Sequence, residues 1–270
     1  MFASGERRHA SHSKKIIRVN KIMSEEFRFR AIGKVKSPFV EKFGVPRQSG
    51  MLSLATGILK LQPGGDFRRA VEDLESFSHL WVLFVFHKDL EKAWSPDVMT
   101  PRENIEKRMG VLSTRSPHRP NPIGMSVLKI EKIDLEVKSG VEIHVSGLDL
   151  LDETPILDIK PYVPYADSIP EAKAGWAVAP TEKVFVTYSE ESLEILEAKI
   201  LKRHPDFQKL LTQIVELDPR PTTYRKEAPI HSEKAIGKRF AFRLLDFDIH
   251  CELKVGSIEV ARIIDLKSSH

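Results

Sequence analysis

A chain of 270 residues with 41% hydrophobic and 30% charged residues is long enough for one substantial core plus a smaller domain, and its composition is that of an ordinary soluble globular protein. The single cysteine, Cys251, excludes an internal disulfide framework and a cysteine-built zinc site and suits a reducing cytoplasm; the longest apolar run, 80-LWVLFVF-86, falls far short of a membrane span. The net charge of +4 fits a polyanionic partner, but enzymes with no such partner share it.

Most of that charge sits at one end. Residues 1–22 carry Arg7, Arg8, Lys14, Lys15, Arg18 and Lys21 against Glu6, and leaving them out lowers the net charge by five, to about −1. The tract has no apolar stretch of a secretory signal. An organellar transit peptide or an RNA-contacting arm would share its composition; the simplest expectation is a disordered, over-long start, with Met23 opening the folded protein.

From Phe27 the pattern becomes strand-like, in 27-FRFRAIGKV-35 and 51-MLSLATGILKL-61. A helix is expected over 66–77, with Asp66 as cap and Ala70, Val71 and Leu74 on its apolar face. The unbroken run 77-FSHLWVLFVFHKD-89 predicts a strand buried on both sides. Further short strands are expected at 109–116, 125–135 and 141–150. Many short strands with few helical patterns imply a mainly β fold with a closed or nearly closed barrel over 23–168. The proline-rich segment 161–180 marks a boundary. Beyond it, Ser189 precedes a helix with Leu193, Leu196 and Ile200 on one face. A second helix shows Phe207, Leu210, Leu211, Ile214 and Val215 at helical spacing. Two strands, 239–255 and 257–266, complete a small α+β domain over 169–270, with Phe247, Ile249, Cys251 and Leu253 on one face.

Four polar clusters interrupt the barrel pattern. They are 41-EKFGVPRQSG-50, His87-Lys88-Asp89, 113-STRSPHRPNPIG-124, and the acidic stretch 149–162 with Asp149, Asp152, Glu153 and Asp158. In the third, Pro117, Pro120 and Pro122 fix φ and push Ser116, Arg119 and Asn121 toward extended conformations. The result is a stiff loop that has lost much of its entropy before folding. Arg115 and Arg119 could equally form structural ion pairs, and the aspartates could cap turns. No Walker lysine loop, H-E-x-x-H, nucleophile elbow or C-x-x-C is present. Residue patterns alone therefore reach a barrel with a charged rim that suits an anionic or zwitterionic ligand.

Five ordered blocks go further: EKFGVPRQSG, FSHLWVLFVFH, MGVLSTRSPHRPNPIG, LDLLDETPILDIKPYVPYAD and DPRPTTYRK. Together they resemble the TrmO (TsaA-like) family, across about residues 27 to 266. The resemblance implies an S-adenosylmethionine-dependent tRNA methyltransferase on a β-barrel, modifying the exocyclic nitrogen of threonylcarbamoyladenosine beside the anticodon of threonine tRNA, as a homodimer. It implies a cofactor site lined by Pro46, Arg47, Gln48, His87, Lys88, Arg115, Asp149, Leu150, Leu151 and Asp152. It also implies tRNA contacts from Arg220, Tyr224 and Arg225, a basic cluster with an aromatic suited to phosphate and an unpaired base. Asp152 is the favoured general base, ahead of Asp149 and His87. The rival reading is a barrel that binds RNA or a nucleotide without chemistry.

Overall fold

The computed structural model describes residues 26–267 apart from 65, 100–106, 139 and 178–181. The basic tract 1–22 and the start expected at Met23 lie outside the described residues. Twelve strands are described: β1 (Gly33–Lys36), β2 (Thr56–Leu61), β3 (His79–Val85), β4 (Asp97–Met99), β5 (Arg108–Gly110), β6 (Ile123–Asp134), β7 (Glu142–Ser146), β8 (Pro155–Pro161), β9 (Phe185–Tyr188), β10 (Arg239–Leu244), β11 (Phe247–Lys254) and β12 (Ser257–Asp265).

Six of them close a barrel in the order β1-β2-β7-β6-β3-β8, every neighbouring pair antiparallel. Alternate residues point inward. Val35, Leu59, Leu80, Val82, Leu128, Ile143 and Ile156 are fully buried in the core. The strand β3 is not buried on both sides as its apolar run predicts. Leu80, Val82 and Phe84 are inside, while Trp81, Leu83 and Val85 are half-buried on the outer wall, because a closed barrel has one interior. The helix expected over 66–77 shrinks to a single turn, Phe67–Ala70, and a 3-10 turn, Leu74–Ser76. Asp66 stands at its N-cap, but its side chain pairs with Arg69 instead of capping.

Close approach inside the barrel depends on Gly124. A Cβ there would meet the Phe84 ring at 2.3 Å and the Phe86 ring at 2.9 Å, and these two rings pack edge to face. Overpacking of this kind costs about 1–3 kcal/mol. Gly124→Ala is therefore expected to lower the urea midpoint of unfolding correspondingly, with an unchanged m-value.

Strand directions decide where the polar clusters go. In an all-antiparallel barrel, the ends of β1, β3 and β7 and the starts of β2, β6 and β8 share one mouth. The segments 37–55, 86–122 and 147–154 all connect at that mouth; they carry most of the first three polar clusters and, from the fourth, Asp149, Asp152 and Glu153, while Asp158 lies on β8.

The C-terminal part is a four-stranded sheet, β10-β11-β12-β9, in which β9 and β12 are parallel. The segment 239–255, expected as one strand, is the hairpin β10–β11. It turns at Leu245, whose φ is +53°. The short strand β9 had no clear sequence signal. The helix Phe207–Glu216 buries Phe207, Leu210, Leu211, Ile214 and Val215 as its periodicity predicts. The helix Glu190–Ile195 is capped by Ser189 and continues into a wider turn, Leu196–Ile200. Leu196 and Ile200 are buried there, whereas Leu193 is exposed.

This domain docks back on the mouth of the barrel. The Leu245 amide donates to the Pro38 carbonyl at 2.8 Å, and the Arg243 amide donates to Glu41 Oε1 at 2.9 Å. Gln213 bonds both Leu54 and Ser53. Gly44, at φ +82°, is so close to Phe242 that a Cβ would lie 2.9 Å from its ring. The loop carrying Pro46, Arg47 and Gln48 is thus held between the barrel and the second domain.

Candidate active site

The structure brings Gln48, Arg115 and Asp149 together. Arg115 Nη1 donates to Gln48 Oε1, tying the proline loop to the β1–β2 loop. Asp149 follows β7 at the same mouth. Burial pushes its carboxyl up to about 6, against the opposing pull of the Ser126 hydroxyl, its own amide, the Arg115 charge and the Ser49 amide. Its Oδ1 is buried and has no hydrogen-bond partner. The two supporting loops are joined where the Gly50 amide donates to the Gly147 carbonyl at 2.9 Å. Gly147 has φ +76°, and a Cβ there would press on the Gly50 backbone at 3.3 Å.

Arg115 is held rigidly. Arg119, from the same loop, turns inward and donates Nη2 to the Thr114 carbonyl at 2.8 Å. The Ser116 amide bonds Thr114 Oγ1, and the His118 amide bonds Ser116 Oγ. From the interdomain connection, Trp176 Nε1 donates to the Ser113 carbonyl at 2.9 Å. Arg119 is therefore a brace, and Arg115 is the arginine presented outward. Ser126, Ser49 and Trp176 carried no motif that would have marked them in the sequence.

His87 and Lys88 lie at the same mouth, on a 3-10 turn directly after β3. Burial, then the Lys88 charge, lowers the His87 pKa, against a hydrogen bond with the Val85 carbonyl. His87 Nε2 is buried without a partner. Lys88 is exposed. The neighbouring Asp89 is clasped by Lys42 at 2.6 Å and Lys92 at 2.9 Å, so it fastens this turn to the β1–β2 loop.

The remaining expected site residues are placed differently. Pro46 and Arg47 line a cleft toward the second domain, facing Ile214, Leu217, Asp218 and Pro219. Leu150 is buried in the core, and its carbonyl accepts from Ser37 Oγ at 2.6 Å. Leu151 is half-buried against that core. Asp152 is engaged at both oxygens, accepting from the Ser37 amide at 2.8 Å and from Lys36 Nζ at 3.2 Å. Arg115 faces Asp149 rather than Asp152.

The expected basic cluster of the second domain is largely internal. Arg220 is 2% exposed. It donates Nε and Nη2 to the two oxygens of Asp218 at 2.7 and 2.6 Å, and Nη1 to the Ala228 carbonyl at 2.9 Å. Arg225 is also 2% exposed. These arginines hold the loop 218–228 together and do not face solvent, whereas Tyr224 is 52% exposed. The sequence could not distinguish the two situations, because a buried bidentate pair and a surface phosphate contact both require arginine.

Among the described residues no group of three or more His, Cys, Asp or Glu is placed to hold a metal ion, and no helix is long and apolar enough to cross a membrane. The mouth can bind a zwitterion: a rigid guanidinium, a buried carboxylate oxygen in need of a donor, and an amide side chain lie side by side.

Residues 34–168 match the tRNA-methyltransferase O N-terminal domain and residues 181–266 the TrmO C-terminal domain. A tRNA (adenine(37)-N6)-methyltransferase of Escherichia coli (strain K12) is 41% identical over 238 residues, 87% of this chain and 96% of that protein. A Pyrococcus abyssi protein described as a probable S-adenosyl-L-methionine-binding protein is 36% identical over 148 residues, 55% of this chain and 74% of that one. The crystal structure of TrmO from Pseudomonas aeruginosa superposes with a TM-score of 0.70 at 34% identity, covering 89% of this chain and 99% of that one. With both domains matched in order and a relative aligned over nearly its full length, the chain belongs to the tRNA-methyltransferase O (TrmO) family of enzymes.

Proposed function

We propose that the protein methylates the exocyclic nitrogen of adenosine 37 in tRNA with S-adenosylmethionine as donor, and that its substrate is threonylcarbamoyladenosine beside the anticodon of threonine tRNA. Family membership and the names of the relatives support the reaction and the donor. The observation that carries the reading is Asp149 Oδ1, buried without a partner next to a fixed Arg115. Leaving a buried acceptor unsatisfied costs roughly 1–3 kcal/mol, so a ligand that supplies a donor there is strongly preferred.

S-adenosylmethionine, when bound, supplies a methyl group on a positively charged sulfur. Its methionine end is a zwitterion, and this chain has a partner for each charge. Arg115 takes the carboxylate and Asp149 the ammonium. Gln48 and the backbone of 149–152 are suited to the adenine, with His87 and Lys88 on the same mouth. The rigidity of the Arg115 loop fixes the alignment that transfer needs.

Binding should depend on pH through Asp149. The folded-state pKa, about 6, lies above the ordinary carboxylate value of 3.8, so the free protein holds this proton more tightly than the unfolded chain does. That contribution to stability is fully present below the unfolded pKa and is lost as pH rises through about 6. An ammonium needs the ionised carboxylate, so affinity changes in the opposite sense. Calorimetric titration with S-adenosylmethionine should show affinity about tenfold weaker near pH 5 than near pH 7. Asp149→Asn should flatten this dependence.

A homodimer is the proposed working form. On the outer wall, Leu83 pairs with Met125 and Val85 with Ile123; Met125 is 52% and Ile123 37% exposed, an apolar face suited to a second copy. Ile123 directly follows the proline loop, so such an interface would adjoin the site. For tRNA, the open side chain of Tyr224 supports a stacking contact. The decisive experiment is mass spectrometry of threonine tRNA from cells lacking the protein: loss of the methyl group on the modified adenosine is expected, and an unchanged pattern would overturn the substrate assignment.

A further inference from the structure

An adenosine in the anticodon loop must leave its stack to enter the mouth, so the unpaired base beside it loses a partner on one face. A flat aromatic side chain at the rim can replace that face. The chain has three tryptophans, and two are committed elsewhere. Trp81 packs on Tyr162 with ring centroids 5.9 Å apart, and Trp176 donates to the Ser113 carbonyl. Trp94 is 54% exposed, and among the described residues no hydrogen bond or ring contact engages its indole.

The backbone of Trp94 is fixed on both sides. Before it, the Lys92 amide donates to the Asp89 carbonyl at 3.1 Å, on the turn where Lys42 and Lys92 clasp the Asp89 carboxylate. After it, the Ser95 amide donates to the His118 carbonyl at 3.1 Å, and the Pro96 carbonyl accepts from the Val111 amide at 2.9 Å. Ser95 and Pro96 thus lie against the proline loop at two positions, His118 and Val111, that bracket Arg115 in sequence. Arg108 pins the same segment, donating Nε to Asp97 Oδ1 and Nη2 to the Asp97 carbonyl, each at 2.7 Å. The indole is therefore an open face on a rigid support beside the loop that presents Arg115. The same connection carries exposed Lys88, Lys92 and Arg115 against exposed Glu91, a balance suited to the phosphates on either side of a base. Tyr165 is more exposed still, but it follows the end of β8, at the opposite end of the barrel from the mouth.

We propose that Trp94 is a stacking platform for an unpaired base flanking adenosine 37, an inference that rests on the tRNA-methyltransferase reading above. An indole stacks on any base, so Trp94 supplies hold on the loop and no choice of sequence.

The test measures tRNA binding in the full-length protein. Trp94→Ala should raise the dissociation constant for tRNA about five- to a hundredfold. The constant for S-adenosylmethionine should stay within about twofold of wild type, with thermal unfolding as the control on the fold. Trp94→Phe should recover much of the loss, because a phenyl ring still stacks. Stacking releases no counterions, so the salt slope of tRNA binding should be the same in Trp94→Ala as in wild type. A tRNA with an abasic residue at one of the two positions flanking adenosine 37 should bind wild type as weakly as intact tRNA binds Trp94→Ala. Combining the two changes should cost little more than either alone. A folded Trp94→Ala that binds tRNA within twofold of wild type would overturn the proposal, as would losses that add fully at both flanking positions. A dimer lost in Trp94→Ala would assign the side chain to a subunit interface and overturn it equally. Wild-type protein that transfers no methyl to adenosine 37 would sink the parent reading instead, and the abasic comparison would still report whether Trp94 stacks on that loop.

Discussion

Arg115→Ala should weaken S-adenosylmethionine binding about tenfold to a hundredfold while leaving the fold intact. A charge-assisted fork from guanidinium to carboxylate contributes roughly 1.5–3 kcal/mol, which is that range of affinity. The side chain is exposed, and its one described hydrogen bond goes to Gln48, so little stability rides on it. Calorimetric titration reads the loss, and thermal unfolding supplies the control. Arg115→Lys should recover little, because lysine lacks the planar fork. The loop itself is secured by Arg119, Trp176 and the local hydroxyl bonds, so it should survive truncation of Arg115. If Arg115→Ala bound the donor normally, the guanidinium would belong to tRNA recognition instead.

Arg220→Ala should destabilise the protein by about 3–5 kcal/mol, the cost of leaving a buried carboxylate without its counter-charge. Asp218 is 5% exposed and is matched at both oxygens by Arg220. Asp218 also lines the cleft shared with Pro46 and Arg47, so the damage would extend to the loop beside the site. Urea unfolding measures the loss. Removing both partners together should cost less than the two single losses added, since the second substitution removes the orphaned charge. A phosphate-contacting arginine would behave otherwise, with stability unchanged, a higher Michaelis constant for tRNA and a shallower salt dependence. That outcome would restore Arg220 to the tRNA surface.

The local level of the fold was legible because it depends on short-range periodicity. The helix Phe207–Glu216 and the buried face Phe247, Ile249, Cys251, Leu253 match their expected patterns residue by residue. The closed barrel was legible as an architecture, because short strands separated by turn residues leave few other ways to bury their apolar faces, whereas the outward half of β3 and the strand expected at 109–116, a short strand followed by a 3-10 turn, were not. Residue patterns marked the polar clusters and the family resemblance named site residues within them; three of these, Gln48, Arg115 and Asp149, are brought together.

Tertiary structure decided what each charged side chain does. Arg115 and Arg119 stand four residues apart on the same stiff loop, yet one faces outward and the other braces the backbone behind it. Asp149 and Asp152 share one acidic stretch, but one has an unsatisfied buried oxygen and the other is tied at both. Arg220, which reads as a surface cation, is sealed against Asp218. Pattern along the chain fixes which backbone segments can be helix or strand, because those periods are set within a few residues. A charge takes its role from desolvation and from the partner it meets, and those are supplied by segments far away in sequence that only the closed barrel and the docked second domain bring together.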